Sequence, residues 1–199
     1  MTAYIASQIA TSLQLPAEIA KPVFIAALLH DIGFIVEKEY YKKSSLVDIN
    51  LNHPEHASHG AALLKTFPLF MNVAPLVANH HMAWSELANH PTLAPPEMNI
   101  ITLADWVAAK YQSNKFNASR AFINECHAEL QSLSGTLFNP QYINAFTDIA
   151  SDNRFWANLH PDVINATLSD NSPIKNKMIS FIDKYDIYKS ISSELSKKI

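Results

Sequence analysis

Six side chains of metal-binding type recur along the first half of the chain, each within or at the end of an apolar stretch. They are His30, Asp31, His56, His80, His81 and Asp105. The adjacent pair His30-Asp31 follows an apolar run, so a helix would deliver an imidazole and a carboxylate together into a poorly hydrated region. Asp105 lies in the largely apolar run 99–109 with no neighbouring charge to neutralise it. Because a buried charge is costly unless it is paired or bound to a metal, this pattern predicts a metal site.

The composition of this set indicates which ions it would hold. Four imidazoles and two carboxylates suit iron, manganese, zinc, cobalt or nickel better than calcium, and magnesium is less natural. A single ion would not need six ligands and an open position, so we expect two divalent ions bridged by Asp31, with iron or manganese as first candidates. Such a pair clamps a phosphoryl group and activates water near neutral pH. The sequence offers no nucleophilic serine or cysteine motif and no phosphate-binding glycine loop as an alternative.

The bulk properties limit the partners. A formal charge of −3 and a pI near 6.3 give no general attraction to duplex nucleic acid or to an anionic membrane. No apolar run reaches the roughly 18 residues of a membrane span, and the first residues do not resemble a signal peptide. Cys126 is the single cysteine, which excludes an intramolecular disulfide, and we expect it to be a small buried hydrophobe. These features favour a cytoplasmic protein.

Three glycines and eleven prolines favour helices joined by proline-bearing loops over an all-β domain. Because glycine is so rare, each of the three glycines is expected to mark a tight turn or a close approach of the backbone, and Gly33 and Gly60 lie beside the metal-type motifs. Residues 82–96 are predicted to be a loop and residues 37–52 a connecting or lid segment. Apolar periodicity predicts helices from the start to near Leu15, from Pro22 to Gly33, from Pro54 to Phe67, over 73–81, 97–111 and 118–133, and from Asn139-Pro140 onward.

The character of the chain changes after Pro161. An apolar stripe at steps of three and four residues runs from Ile174 to Leu195, with Lys and Glu at the other positions. A terminal helix packed on its own domain would produce this stripe, and so would a helix that pairs with a partner or with a second copy in a homodimer. We therefore predict one domain over residues 1–160 and a C-terminal helical extension over 161–199.

The segments around the six side chains resemble the motifs of the HD superfamily of metal-dependent phosphohydrolases, in particular its HD-GYP branch. Residues 26–33 resemble the His-Asp doublet of the superfamily, and residues 56–64 look like the next motif. The pair His80-His81 matches the paired histidines of the branch, Asp105 matches its late aspartate, and residues 135–146 resemble its closing segment. The resemblance covers residues 2–150 in order.

This resemblance implies an all-α HD-domain helical bundle with a two- or three-metal centre. The implied activity is hydrolysis of a nucleotide or cyclic (di)nucleotide phosphoester by a metal-bound hydroxide. Beside the bridging Asp31, we expect His59 and Lys110 to act as catalytic residues, for proton transfer or phosphate contact. The alternatives are that His59 is a polar helix flank and that Lys110 is a solvated lysine at a helix end. His53 is a further candidate ligand.

The chain also departs from the HD-GYP pattern. Phe34 stands where the doublet's glycine is commonly followed by lysine, and Met82 follows the histidine pair where the branch has glutamate. The Gly-Tyr-Pro signature is absent, and the ligand histidine of the first helix would fall before Met1. These departures keep a second class of function open, in which the domain is a signalling or scaffolding module without catalysis.

Overall fold

The computed structural model describes residues 1–34, 55–164 and 166, and within them it contains nine α-helices and no strand. A single 3₁₀ turn, Pro68–Phe70, follows the third helix. The predicted all-α fold is confirmed. The helices are α1 (Thr2–Ser12), α2 (Ala17–Leu29), α3 (Glu55–Lys65), α4 (Ala74–Ala78), α5 (Trp84–Asn89), α6 (Met98–Ser113), α7 (Arg120–Ser132), α8 (Pro140–Ala150) and α9 (Asn153–Leu159).

Helix α6 forms the centre of the bundle. Its side chains are buried almost continuously from Met98 to Tyr111, as expected of a helix that is apolar on nearly every face. Helices α1, α2 and α8 pack against α6, and α3 and α4 pack against each other beside α2. The ends of α2 and α4, the start of α3 and the middle of α6 meet at one junction and carry the predicted ligands.

Several predicted helix boundaries are confirmed by local chemistry. Pro140 occupies the first position of α8, and the side chain of Asn139 caps that helix by accepting a hydrogen bond from the backbone N–H of Gln141 (2.9 Å). Ser119 caps α7 in the same way, accepting from the backbone N–H of Phe122 at 3.2 Å. Helices α6 and α7 begin within two residues of the predicted positions.

The predicted start of the second helix was wrong. Helix α2 begins at Ala17 rather than at Pro22, which lies inside it. The residues between Pro16 and Pro22 are good helix formers, and they offset the backbone hydrogen bond that Pro22 cannot donate.

Two short helices escaped prediction. The predicted loop 82–96 contains α5, and α9 follows α8 directly. At six and seven residues these helices are too short to show a hydrophobic period or to be stable alone. Tertiary burial of Leu87 in α5 and of Phe155 and Trp156 in α9 stabilises them.

Some predictions lie outside the described residues. They concern the connecting segment 37–52, His53, and the apolar stripe from Ile174 to Leu195, so the C-terminal extension and the boundary at residue 160 remain predictions. Within the described part of the chain, no helix combines the length and apolarity needed to cross a bilayer. Cys126 is fully buried, as expected, and burial raises the pKa of its thiol to about 12.

Candidate metal centre

The structure brings the six predicted ligands together at the junction of four elements. His30 and Asp31 lie in the turn after α2, and His56 is the second residue of α3. The pair His80-His81 lies in the turn after α4, and Asp105 lies midway along α6. Four separate segments therefore contribute to one site, which agrees with the predicted convergence.

Three histidines form the first half of the site. The Nε2 atom of His56 lies 3.3 Å from Nε2 of His80 and 3.0 Å from Nε2 of His81. One ring nitrogen from each residue lies within 4.8 Å of the other two. His56 and His80 are almost wholly buried. Three imidazole nitrogens directed at one point are suited to coordinate a cation such as a divalent metal ion.

The second half of the site contains one histidine and two carboxylates. Nε2 of His30 lies 3.0 Å from Oδ1 of Asp105 and 3.2 Å from Oδ2 of Asp31. The other oxygen of Asp31, Oδ1, lies 3.4 Å from Nε2 of His56. Asp31 therefore stands between the two halves of the site with one oxygen directed at each.

Backbone carbonyls orient two of the imidazoles. Nδ1 of His30 donates to the carbonyl oxygen of Ala27 at 3.0 Å, and Nδ1 of His80 donates to that of Val77 at 2.7 Å. A neutral imidazole carries one N–H, so a donating Nδ1 leaves the lone pair on Nε2. Both Nε2 atoms face the site, so the carbonyls select the tautomer that a metal ligand requires.

Charge is distributed unevenly across the site. Burial alone would lower the pKa of His30, but hydrogen bonds to Asp105 and Asp31 outweigh it and raise that pKa to about 10. Burial, reinforced by His81, lowers the pKa of His80 to about 4. Burial opposes ionisation of Asp31, yet His30 holds the pKa of that carboxyl below its ordinary value. The site thus holds a protonated His30 beside Asp105 and Asp31 and a neutral His80 in its other half. A divalent cation would take the place of the His30 proton, because histidine binds a metal in its deprotonated form.

Two polar residues of α6 hold the surrounding segments in place. Thr102 Oγ1 donates to the carbonyl oxygen of His80 at 2.7 Å. Asn99 donates through Nδ2 to the carbonyl oxygen of Leu137 at 3.0 Å and accepts through Oδ1 from the backbone N–H of Asn139 at 2.8 Å. Sequence reasoning missed both residues. The signal was present, because a polar side chain in an apolar helix must find a partner.

A close contact between backbones sets the position of His56. A Cβ atom on Gly33 would lie 1.9 Å from the carbonyl oxygen of His56, and Gly60 also faces Gly33 closely. The predicted close approach at these two glycines is confirmed. The next residue, Phe34, stacks on the His56 imidazole with ring centroids 4.2 Å apart and an interplanar angle of 13°. The residue that replaces the family's lysine therefore packs on a predicted ligand.

The two predicted catalytic residues outside the ligand set lie elsewhere. His59 is exposed on α3. Lys110 Nζ lies 2.9 Å from Glu125 and 2.7 Å from Glu129, both on α7. The carboxylates of Glu129 and Glu125 raise the pKa of Lys110 although burial opposes this. The structure thus gives Lys110 two anionic partners on the neighbouring helix, and catalytic roles for both residues remain predictions.

Comparison with known proteins agrees with this architecture. The family model described as HD domain matches residues 1–110, a range that contains all six convergent side chains. A similar protein is 3′3′-cGAMP-specific phosphodiesterase 1 of Vibrio cholerae serotype O1, 25% identical over 172 residues, or 82% of this chain. The chain spans 39% of the length of that relative. No solved structure matches. Since the family model covers more than half of its length, the chain belongs to the HD domain family.

Proposed function

We propose that the chain is a metal-dependent phosphohydrolase acting on a nucleotide or cyclic (di)nucleotide phosphoester. The observation that carries this proposal is the convergence of four imidazole Nε2 atoms with Asp31 between them. Membership of the HD domain family and similarity to a protein named as a cyclic dinucleotide phosphodiesterase support it.

The two halves of the centre would hold one ion each. His56, His80, His81 and Oδ1 of Asp31 would bind the first, and His30, Asp105 and Oδ2 of Asp31 would bind the second. When bound, a divalent pair stabilises charge on a phosphoryl group and lowers the pKa of water. The mixed nitrogen and oxygen donors favour iron or manganese over calcium.

The side chains of the centre differ in exposure, and this difference indicates where a substrate approaches. The side chain of Asp31 is 52% exposed and that of Asp105 is 34% exposed, whereas His56 and His80 are buried. His81 is exposed as well. A phosphoester would therefore reach the site from the side of Asp31, Asp105 and His81, while the buried imidazoles of His56 and His80 exclude water behind it. The carbonyls of the α2 and α4 termini hold the ligand nitrogens in orientation before the substrate arrives.

His59 and Lys110 are proposed to assist the reaction. His59 lies three residues after His56 on α3, so both side chains project from neighbouring positions of the same helix. Its imidazole could donate a proton to the leaving oxygen. Lys110 would contact a phosphate only in competition with Glu125 and Glu129.

Hydrolysis of bis-p-nitrophenyl phosphate by protein purified without chelator tests this function. We expect manganese- or iron-dependent turnover that falls about 100-fold or more in Asp31→Ala, because that variant removes the carboxylate shared by both halves. His90→Ala is the matched control, since His90 is an exposed histidine at the end of α5. Turnover that survives Asp31→Ala unchanged would contradict the proposal.

A scaffolding or signalling module is the second candidate, and Phe34 favours it. An aromatic ring stacked on His56 occupies a position where the family commonly presents a lysine to phosphate. Under this alternative, the metal-loaded protein would bind cyclic dinucleotides without hydrolysing them. Calorimetric binding without product formation, monitored by chromatography, would support the module over the enzyme.

A further inference from the structure

A second cleft lies at the far end of α6, apart from the metal centre. Its volume is about 690 Å³, within the range of small-molecule sites. None of the six convergent side chains lines it. Tyr111 lies six residues beyond Asp105 on α6, about 9 Å along the helix. The cleft is lined by Tyr111, Phe116, Ala118, Arg120, Ile123, Asn153, Trp156, Ala157, His160, Asp162 and Val163.

Three aromatic rings form one side of the cleft. The ring of Tyr111 lies 5.6 Å from that of Phe116 and 5.2 Å from that of Trp156, measured between centroids. Lys115 and Phe116 adopt left-handed backbone conformations, with φ of 54° and 58°. Such conformations are costly for residues other than glycine and persist where the surrounding structure imposes them. The Phe116 ring is thus held at the cleft by a strained turn.

The hydroxyl of Tyr111 has no hydrogen-bond partner among the described residues. The residue is only 2% exposed, and burial raises the pKa of its hydroxyl, so the group remains a donor at neutral pH. Among the described residues, the polar side-chain atoms that are fully enclosed and lack a partner belong to His127 and Thr147. The Tyr111 hydroxyl is not one of them, so it is not fully enclosed. The small accessible part of Tyr111 therefore includes its hydroxyl, which can donate to a molecule in the cleft. A bound acceptor would remove the cost of an unpaired donor.

Arg120 brings a positive charge to the mouth of the cleft. Arg120 is exposed at the first position of α7, and across the described ranges no carboxylate forms an ion pair with it. The N-terminus of this 13-residue helix adds a partial positive charge beside the guanidinium. The acidic lining residue, Asp162, is largely exposed to solvent, and its Oδ2 atom lies 3.4 Å from Nδ1 of His160.

We propose that this cleft binds a small molecule that carries a planar aromatic ring and an anionic group. The ring packs against Phe116, an acceptor on the ligand accepts a hydrogen bond from the Tyr111 hydroxyl, and the anion binds Arg120 at the start of α7. Nucleoside monophosphates and aromatic carboxylates share this chemistry. The site is independent of the metal centre and of its proposed activity.

Calorimetric titration of the full chain with AMP, GMP and indole-3-acetate tests the proposal. We expect saturable binding that weakens about tenfold in Arg120→Gln, through loss of the charged contact, and about fivefold in Tyr111→Phe, through loss of one hydrogen bond. Arg154→Gln is the matched control, because Arg154 is an exposed arginine that pairs with Asp152 and does not line the cleft. Tighter binding of AMP or GMP assigns the anion to phosphate, and tighter binding of indole-3-acetate assigns it to carboxylate.

Two results would overturn the proposal. One is the absence of saturable binding of all three probes to the full chain. The other is equal affinity of wild type and Arg120→Gln, a surface substitution that is expected to preserve the fold. Thermal unfolding, monitored by circular dichroism, checks the fold of Tyr111→Phe. If Tyr111→Phe is unfolded, the affinity of Arg120→Gln alone tests the proposal.

Discussion

Gly33→Ala should disrupt the metal centre from a position that is not itself a ligand. The new Cβ would lie 1.9 Å from the carbonyl oxygen of His56 and 2.8 Å from the backbone nitrogen of Gly60. Ordinary contact begins near 3.4 Å, so the first distance falls short by about 1.5 Å. Both opposing atoms belong to the backbone, so no side-chain rotation relieves the clash and α3 itself must move.

The consequence for the metal follows from the tolerance of coordination geometry. Metal–ligand distances hold to within about 0.2 Å, so a shift of about 1 Å or more removes His56 from coordination. We expect Gly33→Ala to lose bound metal. We also expect its free energy of unfolding to fall by about 3 kcal/mol, at the upper end of overpacking costs.

Gly60→Ala is the matched control at the same interface. Its Cβ would meet the Gly33 nitrogen and the Ile32 side chain at 3.2 Å and the Val77 side chain at 3.3 Å. These neighbours need to yield by only about 0.2 Å, so we expect a loss of about 1 kcal/mol with metal retained.

Urea unfolding with and without EDTA, together with elemental analysis, measures both variants. Comparing the two conditions separates lost packing from lost metal. Wild-type stability and metal content in Gly33→Ala, or equal damage in both variants, would refute the reasoning.

Three further predictions concern other side chains. Phe34→Leu should weaken metal binding severalfold, because the His56 ring loses a stacking contact worth about 0.5–1.5 kcal/mol, and Phe34→Tyr should not; equal affinities in chelator competition would count against this. Cys126 should react with Ellman's reagent only after unfolding, because burial raises its pKa to about 12, and rapid labelling of the native protein would contradict it. The pairing of Lys110 with α7 should stabilise the fold at neutral pH. The hydrogen bond from Lys110 lowers the pKa of Glu125. The stabilisation is therefore present above the ordinary pKa of that carboxyl and is lost as the pH falls through the lowered value. At alkaline pH the stabilisation is lost as the pH rises through the raised pKa of Lys110. Urea midpoints of wild type and Lys110→Gln should therefore converge in acid, and a pH-independent difference would exclude the pairing.

The convergence of the six predicted ligands was predictable because a buried charge is stable only when it is paired or bound to a metal. An aspartate inside an apolar helix, such as Asp105, requires a cation or a donor, and spaced His and Asp residues supply both sides of such a site. Each of the six residues also lay within or at the end of a predicted helix. The sequence alone therefore predicted that these residues lie close together in the fold.

Other features depend on tertiary contacts that no sequence window contains. Helix α5 is stabilised through Leu87, and the stacking of Phe34 on His56 requires the turn after α2 to pack against α3. The ion pairs of Lys110 depend on how α7 crosses α6. Such features arise from packing between elements, so local propensity and spacing could not predict them.

The metal content of protein purified without chelator shows whether these six residues form a metal centre. We expect about two equivalents of iron or manganese per chain in wild type. We also expect loss of metal in His56→Ala and full retention in His90→Ala. Protein that stays free of metal after reconstitution, or equal metal in the two variants, would contradict the assignment of these six residues to a metal centre.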